Sequence, residues 1–564
     1  MIHHSALVTL LLILIAGLVS RWCAPVGAVN VWLRALDSRW TPMVAGLATC
    51  VVAFWVWGAT LDPVSTIHDE ASYLLQARIF STFHWTAAAR PLPQFFEQYH
   101  VFVSPVLMSK YPPGHALMMV PGIWLGAPAL VPLLFIGVTG ALLYILASRV
   151  ANSVVALLAL VFWLTSAAVL QRLPSYLSES TSGMLWLGGW LALLNWREDG
   201  RTRWLLLLAA CIGWGALTRP FTWVLYTIPV ALVVGRSLLV RRAWREIGSV
   251  LLVGGCSVAL LLLWNARSTG DLATTPYSEY AQEYFPEDVL GFGANMRQPS
   301  RVLPDDMKKF SAWTHDLHAD HTIRALPRTL VSRLGVMKRD MWGGWRKPLL
   351  LFAALGLLTA SGAVGFAASS SALLILGHLV YAHPASWTVY YLEIQPFLAF
   401  VTALGLWRFL TVFDGKTVKH WVSRGDRAMT RDCAAATLVV ILLAPKLVLG
   451  IIGQHRARLS SSAYQRDFQS GLAKLPGERL VVFIRYATNH SPHNSLITNE
   501  PDLSEARVWT VYDRGVEDRA LMRLAPERTA YLYDEQHGQF SLLDTTSTPS
   551  AVIAGAAGTS GPPE

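Results

Sequence analysis

The chain has 564 residues, 53% of them hydrophobic and 15% charged, with 23 tryptophans, and no single soluble core absorbs that much apolar sequence. A lone soluble domain is excluded, and the pattern is that of an integral membrane protein. The net charge of +10 does not mark a nucleic-acid partner: much of the excess sits in short loops between apolar segments, where basic residues mark the cytoplasmic side.

In chain order, the first apolar run, 6 to 20, lacks a basic leading region and a small-residue cleavage site, so it reads as a membrane helix rather than a signal peptide. Bilayer-length runs recur at 43 to 60, 128 to 147, 153 to 170, 181 to 195, 204 to 218, 221 to 235, 247 to 264, 348 to 368, 371 to 383, 390 to 411 and 433 to 452. About twelve helices are expected. Threading them alternately gathers Arg34, Arg39, Arg149, Arg197, Arg201, Arg236, Arg241, Lys416, Lys419 and Arg424 on one side, which the positive-inside rule makes cytoplasmic. Three polar segments, 61 to 113, 265 to 347 and everything after about 453, then face outward. The outer face is the working face. Cys23, Cys50, Cys211, Cys256 and Cys433 are scattered without a CxxC pair and read as small core residues.

The expected organisation is a membrane domain over 1–453, a small soluble α/β unit over 454–544 and a disordered tail over 545–564 rich in Gly, Ala, Ser, Thr and Pro. In the soluble unit, 480–484, 507–512 and 529–533 read as strands and 517–524 as a helix. In the first outer segment Tyr73, Leu74, Ala77, Ile79 and Phe80 fit a helix lying along the membrane interface, with Asp69 and Glu70 at its N-terminus.

Chemistry concentrates at the outer ends of the helices. Transfer of a sugar to or from a phospholipid carrier asks for a carboxylate base near the anomeric carbon and cations or a metal at the leaving phosphate. Asp69 is the candidate base, with helix capping as its structural alternative. Glu70 is read as its neighbour, as a ligand to a divalent ion or as a bond to the acceptor, and His68 as a surface residue. Lys110, ahead of Tyr111 and two prolines that fix the re-entering backbone, suits a phosphate or an interfacial snorkel. Arg219, in a minimal turn between two apolar helices, needs an anion, either the carrier phosphate or a structural partner such as Glu179. Glu393 stands a turn inside an apolar helix beside Tyr390, as a functional or a paired structural acid. His315, His318 and His321 recur every third residue, a weak metal pattern against a solvated helix face, and His490 and His493 are equally open. No phosphate-binding glycine loop, GxSxG or HExxH is present, which argues against a nucleotide-driven pump or a membrane serine or zinc protease.

The Asp69-Glu70 pair, SKYPPGHAL (109–117), LTRP (217–220), WNARSTGDLATTPYSEY (264–280) and YYLEIQPFLAF (390–400) occur in an order that resembles bacterial GT-C glycosyltransferases, similar to protein O-mannosyltransferases and the lipid A aminoarabinose transferases. The resemblance covers about 60 to 450. It implies an α-helical polytopic GT-C fold in the bacterial inner membrane with the active site facing the periplasm. The implied reaction moves a sugar with inversion from a polyprenyl-phosphate donor to a lipid, glycan or protein acceptor. It casts Asp69 as base, Glu70 as its partner and Lys110 as the carrier-phosphate contact; a divalent ion is a possible helper. The rivals are a transporter or flippase for a lipid-linked glycan and an inactive scaffold. A transporter predicts ionisable residues near the midplane and paired broken helices, neither of which stands out here.

Overall fold

A computed structural model describes residues 2–23, 26–358, 362–412 and 426–543. The expected tail and the basic residues Lys416, Lys419 and Arg424 lie outside the described residues.

Among the described residues, every apolar run expected to cross the bilayer lies mainly on helix. Among the described residues, five helices are long and apolar enough to cross a membrane: Leu130–Val150, Pro220–Val240, Trp244–Thr269, Thr388–Thr411 and Arg431–Ser461. Six apolar helices are shorter, Ser5–Ser20, Thr41–Val56, Ser153–Leu164, Thr202–Thr218, Leu349–Leu358 and Val364–Val380, and the helix Glu179–Asp199 carries the remaining run. The chain is a multi-pass membrane protein. Along Trp244–Thr269, Leu251, Leu252 and Val258 are more than half exposed, an apolar surface turned to lipid.

Two boundaries depart from the apolar pattern. The run 153 to 170 is broken, because Asn152 accepts hydrogen bonds from the N–H groups of Val154 and Val155 and Ser166 accepts from that of Val169, each opening its own helix. Conversely, the expected break near 369–370 is helical: the Ser369 hydroxyl donates to Gly365 O and that of Ser370 to Phe366 O, which satisfies both serines inside the helix. Helices approach closely at small residues. A Cβ on Gly405 would sit 1.7 Å from Phe352 O and one on Gly356 1.9 Å from Val401 O, so Leu349–Leu358 and Gln395–Val412 are nearly in backbone contact.

The polar segment 61–113 is built on the helix His68–Ser81 and a small antiparallel sheet in which Val106–Ser109 pairs with Ala87–Ala88 on one side and Val101–Phe102 on the other. Contrary to the interfacial reading of this helix, Tyr73, Ala77, Ile79 and Phe80 are buried in protein. Leu75 and Ile79 share a core with Val481, Phe483, Trp509 and Val511 of the C-terminal unit. There, strands Leu480–Arg485, Val508–Tyr512 and Thr529–Asp534 run parallel, with Leu480–Arg485 in the middle, and Gln539–Leu542 adds an antiparallel edge. Polar contacts tie the same interface: Arg78 pairs with Glu500 and Arg90 donates to Glu500 O and Pro501 O.

The turn Lys110-Tyr111-Pro112-Pro113-Gly114 ends in the helix Pro113–Trp124, with Pro113 at its first position, where a missing N–H costs nothing. Gly114 lies against the end of Thr202–Thr218: its carbonyl accepts from Trp214 Nε1 at 3.1 Å, and a Cβ there would meet Leu217 backbone at 2.8 Å. Gly114→Ala is therefore expected to destabilise the protein by about 1–3 kcal/mol through overpacking against backbone that has no rotamer to yield. Thermal unfolding in detergent checks this.

Candidate functional site

The helix His68–Ser81 starts after Ile67, whose extended backbone (φ −140°, ψ 155°) turns the chain so that His68, Asp69 and Glu70 form the first turn, where carboxylates oppose the helix dipole. The sheet is fastened to this helix. Ser72 Oγ donates to His100 O at 2.8 Å and shares a 2.7 Å hydrogen bond with Ser109 Oγ, and Gln76 Oε1 accepts from the Ser109 N–H at 2.9 Å. Lys110 and Tyr111 are thereby delivered beside Asp69.

The Tyr111 hydroxyl donates to Asp69 Oδ1. His68 Nδ1 lies 3.0 Å from Asp69 Oδ2 and His100 Nε2 3.6 Å from Asp69 Oδ1. Burial alone raises the Asp69 pKa; His100, His68 and the Tyr111 hydroxyl outweigh it and hold the carboxyl well below its ordinary range. Burial and the adjacent carboxylate push Tyr111 well above the usual phenol value, so it stays a donor. Asp69 remains partly open, with 29% of its side chain exposed.

Glu70 does not join Asp69. It is 1% exposed and faces the opposite way, accepting from the Thr66 hydroxyl at 3.2 Å and from Arg458 at 3.3 Å. Burial dominates over Arg458 and Thr66 and raises its pKa, so two adjacent carboxyls are driven in opposite directions. Sequence neighbours on a helix point about 100° apart, and Glu70 is placed in an ion pair with Arg458 instead of beside the Asp69 carboxylate. Glu70→Ala should cost about 3–5 kcal/mol of stability, since it strands the Arg458 guanidinium in a site only 11% exposed. Chemical denaturation measures the loss.

Lys110 is 2% exposed and its Nζ meets Asp288 Oδ2 at 2.6 Å, boxed by the rings of Tyr277, Tyr280 and Tyr111 at 4.3, 5.2 and 5.4 Å. Asp288 Oδ1 accepts from Tyr277 at 2.8 Å and Tyr381 at 2.7 Å. Burial raises the Asp288 pKa, but Lys110 and the two hydroxyls outweigh it and keep the carboxylate ionised. Arg219 pairs with Glu179 Oε1 at 2.5 Å and reaches Glu393 Oε1 at 3.5 Å, with the Tyr390 ring 5.8 Å from its guanidinium carbon. Tyr73 joins the two halves: its ring stacks on Tyr111 at 4.5 Å, and Glu179, Arg219 and Asp69 all act electrostatically on its hydroxyl. Asp69, Lys110, Tyr111, Arg219, Tyr390 and Glu393 thus belong to one contiguous cluster, from which Glu70 is turned away.

His68, expected at the surface, is 6% exposed; its Nε2 lies 3.1 Å from His493 Nδ1 in the C-terminal unit. His315 pairs with Glu287 at 2.8 Å while His318 is buried, and among the described residues they form no cluster of three ligands. Three imidazole or carboxylate ligand atoms do converge at His68, Asp69 and His100. Sequence reading missed His100, Asp288, Tyr277 and Tyr381; of these, only Tyr277 lay inside a motif singled out, TTPYSEY.

No family model and no curated protein matches the chain. Among solved structures it is similar to ArnT from Cupriavidus metallidurans bound to undecaprenyl phosphate, at 12% identity over 88% of this chain and 94% of that one, with a TM-score of 0.49. The apo form of the same protein gives 14% identity over 86% and 92%, TM-score 0.46. The apo oligosaccharyltransferase of Archaeoglobus fulgidus gives 11% identity over 80% and 63%, TM-score 0.41.

Proposed function

We propose that the chain is a membrane glycosyltransferase that moves a sugar from a polyprenyl-phosphate donor to a lipid, glycan or protein acceptor on the extracytoplasmic face, with inversion and with Asp69 as general base. The observation that carries this reading is the convergence, at the outer helix ends, of an ionised, partly open carboxylate with two buried cations. The motif order of the sequence supports it independently.

Each cation already holds a carboxylate, Lys110 with Asp288 and Arg219 with Glu179 and Glu393. These carboxylates balance the cations in a water-poor site until a donor arrives. The donor phosphate replaces Asp288 on Lys110 and draws on Arg219, and the isoprenoid tail lies against the apolar helices. The acceptor hydroxyl displaces Tyr111 from Asp69 and attacks the anomeric carbon opposite the leaving phosphate. Its proton passes to Asp69 as the new C–O bond forms, and the carrier phosphate leaves with the bonding pair, so configuration inverts. The test is release and transfer of label from a panel of radiolabelled polyprenyl-phosphate sugars by the full chain in liposomes, native against Asp69→Asn. Turnover of a donor that depends on Asp69 sustains the reading; donor binding without turnover in either protein moves it to a transporter or scaffold.

A further inference from the structure

We infer that His68, Asp69 and His100 form a binding site for a divalent transition-metal ion of the zinc class, and that the bound metal silences the base. One ligand atom from each residue lies within 4.8 Å of the other two. Around a tetrahedral zinc with bonds of about 2.0–2.1 Å, ligand atoms stand about 3.3 Å apart. The contacts here are 3.0 Å from His68 Nδ1 to Asp69 Oδ2 and 3.6 Å from His100 Nε2 to Asp69 Oδ1, each imidazole at its own carboxylate oxygen, so a small rotation of the carboxylate brings one oxygen to that spacing from both. Two imidazoles and one carboxylate suit zinc or cobalt rather than magnesium, and three protein ligands leave a fourth position open.

A second observation points to a cation. His68 Nδ1 is buried and faces the Asp69 carboxylate at 3.0 Å, yet it makes no aligned hydrogen bond. The His68 and His493 rings are nearly parallel at 21°, joined Nε2 to Nδ1 at 3.1 Å. With the proton of His68 on Nε2 and donated to His493, Nδ1 carries a lone pair beside the carboxylate but off the line to its oxygen. A cation seated beside both is held by that lone pair and the carboxylate together, and the His68–His493 bond then orients the ligand. The site is also preformed. His100 has a left-handed backbone (φ 63°), its N–H donates to Tyr280 Oη at 2.7 Å, and its carbonyl accepts from Ser72 Oγ at 2.8 Å and the Lys110 N–H at 2.9 Å.

A metal on Asp69 takes the electron pair with which the base would accept a proton, so occupancy inhibits transfer; this consequence, unlike the binding itself, rests on the transferase reading. The test titrates ZnCl2 into the EDTA-stripped full chain in detergent by calorimetry and reads Co(II) by visible absorption. One equivalent should bind with a tetrahedral Co(II) spectrum. His100→Ala and the near-isosteric Asp69→Asn should lose it, His493→Ala should weaken it about 10–100-fold, and His315→Ala should leave it unchanged. No binding by the native chain, or one equivalent bound equally by Asp69→Asn and His100→Ala with unchanged thermal transitions, overturns the site. In liposomes Zn(II) should suppress sugar transfer and EDTA restore it. Transfer indifferent to a bound metal overturns the inhibitory role alone, whereas metal binding in a chain that turns over no donor overturns the transferase reading and leaves the site standing.

Discussion

Asp69→Asn is expected to lower sugar transfer by about 10²–10⁴-fold while leaving fold and donor affinity intact. Asparagine keeps the shape of the side chain, and its amide oxygen still accepts from Tyr111, so the packing between the His68–Ser81 helix and the sheet survives. What it loses is the ability to take a proton. The environment holds the Asp69 carboxyl well below its ordinary range, which makes it a weak base towards a free hydroxyl but leaves it fully ionised at neutral pH. Proton transfer to such a base comes late, after bond formation to the anomeric carbon has acidified the attacking hydroxyl. Deletion of the charge also removes electrostatic stabilisation of the cationic sugar in the transition state. Single-turnover transfer in liposomes, with donor binding measured in parallel, checks both halves. Turnover by Asp69→Asn within a few-fold of native would remove Asp69 from the role of base.

Much of the fold was legible because apolar period and length are local signals. The helices sit where the apolar runs are, and the failures near Ser166 and Ser370 turn on single hydroxyls that either cap a helix or bond back into one. The strand Gln539–Leu542 was missed because it is a short, largely exposed edge whose polar–apolar alternation spans only four residues. Within the site, Asp69, Lys110, Arg219 and Glu393 were legible from charge at the ends of apolar segments, and Tyr111 and Tyr390 from the motifs they share with Lys110 and Glu393. Of their partners, Glu179 was anticipated for Arg219 and the others were not. Asp288 meets Lys110 across 178 positions and Arg458 meets Glu70 across 388, and no spacing rule spans such distances. His100 escaped notice for a different reason: it lies in a polar loop, and only its left-handed turn against the helix His68–Ser81 brings it to Asp69.

Arg219→Ala is expected to destabilise the protein by about 3–5 kcal/mol and to abolish transfer, and the two losses are separable. The Arg219, Glu179 and Glu393 side chains are 10%, 7% and 0% exposed, and neither oxygen of Glu393 makes an aligned hydrogen bond. Removal of the guanidinium leaves two buried carboxylates without a counter-charge, which costs more than the ion pair itself contributes. Adding Glu179→Gln and Glu393→Gln to Arg219→Ala removes that stranded charge and should recover most of the stability, measured by thermal unfolding in detergent. Arg219→Lys should keep stability better than Ala but not restore transfer, because an ammonium cannot present the planar fork that addresses two sides at once. If the guanidinium serves the carrier phosphate, donor binding stays weak in the stability-rescued triple variant. If that variant binds a polyprenyl-phosphate sugar as tightly as the native chain, Arg219 is a structural ion pair between helices, and the phosphate is held by Lys110 without it.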